Sequence, residues 1–226
     1  MRISYCLPII KPSRAKVLAA IREHDDGYNY FEVWLDYVDG VDEAFIKQLV
    51  DLAGGRLVLL FRRQELETVK MPLEQRFDIL ELLSGTDVLV DLDVTTQTEE
   101  LNYARDHNLR LNKLVSYHNY RATPNTVQLD EIVATMDGYR PGIYKLATQC
   151  DSAEDALRLL ERLLALKANG HRAIVLGMGE FGRVTRVFGA LWGNEMTFAP
   201  LTEADASAPG QLTRNQLETV FKELGS

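Results

Sequence analysis

The stretch LVSYHNYRATPNTVQLDEIVATMDGYRPGIYKLAT, residues 114–148, contains one unit of the alternating pattern that decides the fold. Residues 114–117 and 143–147 are short apolar runs of the kind found in buried strands. Residues 126–136 between them have helical periodicity and good helix formers. A strand, a helix and a second strand in this order predict two parallel strands joined by a helix.

The same alternation extends along the whole chain. Strands are predicted at residues 3–9, 30–36, 57–61, 88–92, 114–117, 143–147, 173–176 and 196–199. Helices are predicted at residues 13–24, 42–52, 73–83, 98–107, 126–136, 153–168 and 213–224, with a further helix beginning near Arg186.

Eight strands that alternate with helices are typical of the (β/α)8 or TIM barrel, in the α/β class. No Pro/Gly/Ser-rich linker interrupts the pattern, so we predict a single domain over residues 1–226. A doubly wound open sheet is the competing fold. It would more usually have a glycine-rich turn after its first strand, where this chain has PIIKP at residues 8–12.

The bulk composition excludes several classes of protein. The chain of 226 residues has a net charge of -8 and no compensating basic run, which argues against nucleic acid as a partner. Cys6 and Cys150 do not suggest a disulfide scaffold, and no Cys/His cluster has zinc spacing. Without a targeting segment or a membrane-spanning apolar run, the sequence predicts a cytoplasmic protein with no membrane partner.

Lys145 is the most unusual residue, because it lies inside the apolar run IYKLAT at residues 143–148. Desolvation of an ammonium is costly, and burial favours the neutral amine. We therefore expect the pKa of Lys145 to fall toward neutrality, which would make it a nucleophile for carbonyl groups. The alternative is a lysine at a strand edge with its amine in water, which is the more common arrangement for an isolated lysine.

Other polar residues follow predicted strands, at the end of a barrel where catalytic groups project. Glu32 lies in the second strand, Arg62 ends the third, His118 ends the fifth, and Gln211 lies beyond the eighth. His118 alone is as well explained as a hydrogen-bonded structural group. Beside a nucleophilic Lys145, a histidine also suits proton transfer next to an iminium carbon.

Two features near the seventh strand have alternative interpretations. Arg186 is predicted at the start of a helix, where a guanidinium would clamp a carboxylate or phosphate, although a surface ion pair is about equally expected. Residues 177–182, GMGEFG, contain a G-x-G-x-x-G pattern. No acidic residue follows in the position that binds ribose, so tight turns or close backbone approach explain these glycines better than dinucleotide binding.

Together these motifs resemble those of type I 3-dehydroquinate dehydratases, the Schiff-base class of that shikimate-pathway enzyme. The resemblance covers essentially the whole chain in the right order. The matching stretches are EVWLD at 32–36, VSYHN at 115–119, YKLA at 144–147, GRVTR at 182–186, MTF at 196–198 and SAPGQ at 207–211.

The resemblance implies a lyase of aromatic amino acid (chorismate) biosynthesis that converts 3-dehydroquinate to 3-dehydroshikimate and water. Lys145 would form an iminium with the ketone, His118 would move the protons, and Glu32 would assist. The resemblance also implies that no metal or organic cofactor is needed and that the protein is a homodimer. The side chains that it implies for substrate binding are Arg62, Arg186, Ser207 and Gln211.

The chain departs from the family pattern at two places. Trp34 stands where the family commonly has an arginine, and Leu66 stands where it commonly has a glutamate followed by two glycines. Glu65 is the candidate to replace that glutamate. We expect weaker affinity or an altered substrate preference rather than lost chemistry. The alternatives are a Schiff-base aldolase and a degenerate barrel that binds a quinate-like acid without turnover.

Overall fold

The computed structural model describes residues 3–225, which form a (β/α)8 barrel and confirm the predicted fold class. The strands are β1 Tyr5–Ile9, β2 Tyr30–Trp34, β3 Leu57–Leu60, β4 Leu89–Asp93, β5 Asn112–Asn119, β6 Ile143–Gln149, β7 Ala173–Met178 and β8 Thr197–Phe198. The helices are α1 Arg14–Glu23, α2 Glu43–Ala53, α3 Leu73–Leu83, α4 Thr98–Asp106, α5 Thr126–Asp137, α6 Ala153–Ala168, α7 Gly179–Leu191 and α8 Arg214–Glu223. Residues 1, 2 and 226 lie outside the described residues, so the domain bounds of 1–226 stay a prediction.

All the strands are parallel, in the ladder order β7-β6-β5-β4-β3-β2-β1-β8. β8 pairs with β1 through two residue pairs, and within residues 3–225 it has no ladder to β7. The barrel is therefore nearly closed. The closing strand is two residues long, shorter than the predicted 196–199, while β5 and β6 each extend two residues beyond their predicted ends.

Side chains alternate between the two faces of each strand, so the hydrophobic core has two layers. One face of each strand packs against the helices, and the other face fills the barrel with a smaller cluster that includes Cys6, Val58, Leu114 and Phe198. Because successive side chains alternate between faces, the residue two positions after each inward residue also points inward. Ser116, which follows Leu114, therefore continues the interior layer toward the carboxyl end of the barrel.

The helix that follows β7 begins earlier than the sequence suggests. α7 begins at Gly179, so Arg186 lies two turns inside it, and the predicted position at the helix start is wrong. The GMGEFG glycines bring α7 against β7: a Cβ on Gly182 would lie 2.4 Å from the carbonyl carbon of Gly177. Close packing of helix on strand explains this pair of glycines. None of the helices in residues 3–225 is long and apolar enough to cross a bilayer.

Candidate active site

The site lies at the carboxyl ends of the strands, as expected for this barrel. A small cavity opens there. All seven side chains that the sequence predicted for catalysis or substrate binding line it: Glu32, Arg62, His118, Lys145, Arg186, Ser207 and Gln211. The structure therefore brings together residues from six strands or the segments that follow them.

Lys145 is buried on β6, with a relative exposure of 4%. Its Nζ donates hydrogen bonds to Asp91 Oδ2 at 2.8 Å and to Glu32 Oε1 at 3.2 Å. Burial opposes the charge, but the two carboxylates outweigh it and raise the pKa of Lys145 above its ordinary value. The predicted fall of this pKa is therefore wrong for the unliganded site, where the amine is protonated.

Asp91 is the centre of this charge network, and sequence reasoning missed it. Its Oδ1 accepts from Arg62 Nη1 at 3.2 Å and from the Ser116 hydroxyl at 2.5 Å, while Oδ2 accepts from Arg62 Nη2 at 2.8 Å. Burial opposes ionisation, but Arg62 and Lys145 hold the pKa of Asp91 far below its usual range. The signal was present in the sequence LVDLD of β4, where two aspartates lie two residues apart and so share one face.

Asp93, the second aspartate of that strand, orients His118. Its Oδ2 accepts from His118 Nδ1 at 2.9 Å, and its Oδ1 accepts from the backbone N–H groups of Thr95 and Thr96. Nδ1 is therefore the protonated nitrogen, which leaves the lone pair of Nε2 free to accept a proton. Burial, helped by the cations Arg62 and Lys145 and opposed by Asp93, lowers the pKa of His118 to about 4. The imidazole is neutral at pH 7.

Arg186 is a buried cation with no counter-anion among the residues that the structure describes. Its relative exposure is 3%, and no carboxylate in residues 3–225 lies within salt-bridge distance of it. Its Nη2 donates to the Pro209 carbonyl at 3.3 Å, while its Nε has no partner among the described residues. Burial lowers the pKa of Arg186 to about 10. A desolvated, mostly unpaired guanidinium that lines a cavity is suited to an anionic ligand.

The comparisons with known proteins agree with this arrangement. A model of the type I 3-dehydroquinase family matches residues 5–226. The chain belongs to the type I 3-dehydroquinase family. Curated relatives include the 3-dehydroquinate dehydratases of Coxiella burnetii, 26% identical over 96% of this chain and 91% of the relative, and of Methanococcus maripaludis, 27% identical over 97% and 99%.

Solved structures of type I 3-dehydroquinases share the fold. The 3-dehydroquinate dehydratase of Geobacillus kaustophilus superposes with a TM-score of 0.84 at 23% identity, covering 100% of this chain and 92% of that one. The type I enzyme of Clostridium difficile, crystallised with covalently modified comenic acid, has a TM-score of 0.81 at 20% identity, covering 99% and 92%.

The two departures from the type I dehydroquinase pattern have different structural outcomes. Trp34 lines the cavity and donates from its indole Nε1 to Glu32 Oε2 at 2.9 Å. Leu66 and Glu65 both have positive φ, 59° and 52°, a backbone conformation that residues with side chains rarely adopt. Glu65 forms no salt bridge with any residue in the range 3–225, and the carboxylate partner of His118 is Asp93 on β4.

Arg62 has fewer N–H groups available to bind substrate than the type I dehydroquinase resemblance suggests. Both of its terminal nitrogens donate to Asp91, and Nη1 also donates to Ser116 Oγ at 3.3 Å. Its Nε is buried without a partner in the described part of the chain. A substrate contact of Arg62 would therefore use Nε, while the other nitrogens hold Asp91 in place.

Ser207 and Gln211 belong to a loop after β8, residues 206–211, which we call the lid. The Ser207 backbone donates to Gln211 Oε1 at 2.8 Å, and Gln211 Nε2 donates back to Ser207 Oγ at 2.9 Å. The lid carbonyl of Pro209 accepts from Arg186 and, at 3.4 Å, from the backbone of Gly179. The lid therefore contacts the first residue of α7 and the guanidinium of Arg186.

Replacing Gly210 with alanine should prevent the lid from closing. Gly210 has a φ of +78°, and a Cβ there would lie 2.4 Å from the Gly179 carbonyl oxygen. We expect substrate affinity to fall by about tenfold or more, since side-chain contacts from the closed lid would be lost. Gly170→Ala is the matched control, because its φ of +79° imposes the same backbone strain with nothing within 4 Å. Equal affinities in the two variants would contradict a role for lid closure.

Proposed function

We propose that this protein dehydrates 3-dehydroquinate to 3-dehydroshikimate through an iminium on Lys145. One observation carries the proposal: a buried amine, a neutral imidazole and a guanidinium that has no salt bridge among the described residues converge on one cavity. Membership of the type I 3-dehydroquinase family and relatives named 3-dehydroquinate dehydratase support the choice of substrate. The protein would thus act as a carbon–oxygen lyase of the shikimate pathway.

The first stage is the attack of Lys145 on the ketone. The ammonium must lose a proton before its lone pair can form the new C–N bond. Its two partners, Glu32 and Asp91, are the candidate acceptors. The carbonyl oxygen leaves as water, and the resulting iminium withdraws electrons from the adjacent carbon. The lysine supplies this electron sink itself.

The second stage belongs to His118. Its Nε2 takes the proton from the carbon next to the iminium, and the electron pair moves toward the nitrogen. The same pair then returns to expel the hydroxyl group, which takes the proton from His118 and departs as water. A second water hydrolyses the product iminium, which releases 3-dehydroshikimate and restores Lys145. Asp93 stabilises the imidazolium that exists between the two transfers.

Arg186 would bind the substrate carboxylate, with Ser207 and Gln211 of the lid completing the enclosure. Replacing Arg186 with alanine should weaken substrate binding by about 2 kcal/mol or more, roughly 30-fold, since a hydrogen-bonded charged contact would be lost. Arg183→Ala is the matched control, because Arg183 is exposed on the same helix. Binding is measured by calorimetry on inactive enzyme. A lower rate with unaltered affinity would contradict the clamp.

The test of the function uses 3-dehydroquinate with and without borohydride. Formation of the conjugated enone in the product reports turnover, and intact mass after reduction reports a covalent adduct. Turnover together with an adduct of substrate or product mass is the expected result. Saturable binding without turnover would indicate a binding protein, and retro-aldol cleavage of sugar phosphates with no reaction on 3-dehydroquinate would indicate an aldolase.

We also propose that the protein is cytoplasmic and, as the resemblance implies, a homodimer. The two cysteines, Cys6 and Cys150, are free and buried, which agrees with a reducing compartment. Phe181, Val184 and Trp192 leave apolar surface exposed along and just after α7. Light scattering coupled to size-exclusion chromatography tests the dimer: a mass near 25.6 kDa would show a monomer instead.

A further inference from the structure

Glu32 lies between a neutral donor and the reactive amine. Trp34 and Glu32 are two residues apart on β2, so both side chains point into the barrel. The indole Nε1 of Trp34 donates to Glu32 Oε2 at 2.9 Å, and Lys145 Nζ donates to Oε1 at 3.2 Å. One carboxylate oxygen is therefore anchored while the other faces the nucleophile.

The two carboxylates beside Lys145 differ in their other partners. Asp91 already accepts two hydrogen bonds from Arg62 and one from Ser116. Among the described residues, the Glu32 carboxylate accepts side-chain hydrogen bonds from Lys145 and the uncharged Trp34 alone. A carboxylate paired with a guanidinium holds a proton poorly. Glu32 is therefore the better acceptor of the proton that Lys145 must lose.

The indole itself is held firmly. Trp34 has a relative exposure of 4%, and its ring lies edge-on to Tyr37 with centroids 6.1 Å apart. The indole is uncharged, whereas the side chain that donates to Asp91 is the guanidinium of Arg62. Lys145 therefore faces one carboxylate that is paired with a guanidinium and one that is not. Because the indole is uncharged, Lys145 is the one cation among the described residues that donates a hydrogen bond to Glu32.

We propose that Trp34 is a positioning residue for iminium formation, whose indole N–H holds Glu32 so that Oε1 accepts the first proton from Lys145. The inference rests on the proposed function. The ammonium begins with three N–H bonds and the iminium retains one, so two protons leave with the carbonyl oxygen as water. Glu32 takes the first of these from nitrogen and returns it to that oxygen, ending as the carboxylate it was.

Trp34→Phe tests the proposal, because it removes the N–H donor and keeps an aromatic ring. Enzyme is mixed rapidly with 3-dehydroquinate and quenched with borohydride at successive times, and intact mass gives the rate of adduct formation. We expect a rate about tenfold lower, the usual scale for one hydrogen bond to a charged group. Trp192→Phe is the control, since Trp192 is the other of the two tryptophans and is 44% exposed. Its rate should match that of the wild type.

A double-mutant cycle with Glu32→Gln separates this role from a direct contact with substrate. If Trp34 acts through Glu32, Trp34→Phe should not slow adduct formation further in the Glu32→Gln enzyme. An equal further slowing would overturn the proposal. Should Trp34→Phe fail to fold, Glu32→Gln alone tests the same proton transfer, and a wild-type rate in it would also overturn the proposal.

The outcomes for the wild type and the variant distinguish two failures. No adduct on the folded wild-type protein would refute both the proposed function and this inference. If the wild type forms an adduct and Trp34→Phe forms it at the same rate, this inference is refuted and the proposed function is not.

Discussion

Replacing Lys145 with alanine should abolish both the borohydride-trapped adduct and turnover. In the proposed mechanism Nζ of Lys145 bonds to substrate, and within residues 3–225 no other lysine lines the cavity. Without the iminium, the proton next to the ketone must be removed with no electron sink. We expect turnover to fall by about 10⁴-fold or more, the scale on which enzymes lose rate when a nucleophile is removed. Single-turnover kinetics and intact mass measure the two losses separately.

The fold should survive this change, because each carboxylate near Lys145 keeps another partner. Asp91 retains Arg62 and Ser116, and Glu32 retains Trp34. Lys145→Met is a second variant that preserves the aliphatic volume and should behave alike. Trapping at the wild-type level in either variant would remove Lys145 from the nucleophile role.

Lys113 provides the matched control for non-specific imine formation. It lies near the start of β5, at the opposite end of the barrel from the site. Burial, with a smaller contribution from Arg140, lowers the pKa of Lys113. Lys113 therefore tests whether any amine with a lowered pKa forms the adduct. Lys113→Ala should trap substrate and turn over as the wild type does.

Replacing His118 with alanine should leave adduct formation largely intact and slow turnover by about 10³-fold, within the usual contribution of general acid–base catalysis. The adduct should accumulate at the mass of the substrate, because the step that expels water is the one that lacks its proton carrier. His107→Ala, an exposed histidine after α4, is the control. Unchanged turnover in His118→Ala would contradict the assignment of the base.

The pH dependence of the wild type provides a second measurement of the same role. A base acts when it is unprotonated, and burial lowers the pKa of His118 to about 4. The value of kcat/KM should therefore persist below the ordinary histidine range and decline only as the pH falls toward that value. An acid limb centred near 6.5, the ordinary value, would mean that the free enzyme does not hold the imidazole neutral in this way.

Much of the site was accessible from the sequence because its residues are tied to strand ends. The alternation of apolar runs and helical stretches predicted the barrel, and the barrel places strand ends around one opening. Lys145 and His118 fall on neighbouring strands, and the register pairs Ser116 with Lys145 and His118 with Ala147. Such neighbours in a parallel sheet follow from chain order alone.

Asp91 and Asp93 were missed because residues 88–92 were assigned as an apolar strand, which contains Asp91 and ends one residue before Asp93. The observed strand, LVDLD, includes both aspartates. The start of α7 was missed for a local reason. Gly179 adopts a φ of +76° and begins the helix seven residues before Arg186, where the glycine-rich sequence suggested a longer loop.

The sequence by itself determined the strand and helix alternation, the barrel and the identity of the lysine and histidine, since these depend on local periodicity and on which residue types occur at strand ends. The tertiary structure alone decided the charge state of Lys145. Its amine meets Asp91, 54 residues away in the chain, and Glu32, 113 residues away. Electrostatic interaction depends on distance through space, and the closure of the barrel sets that distance.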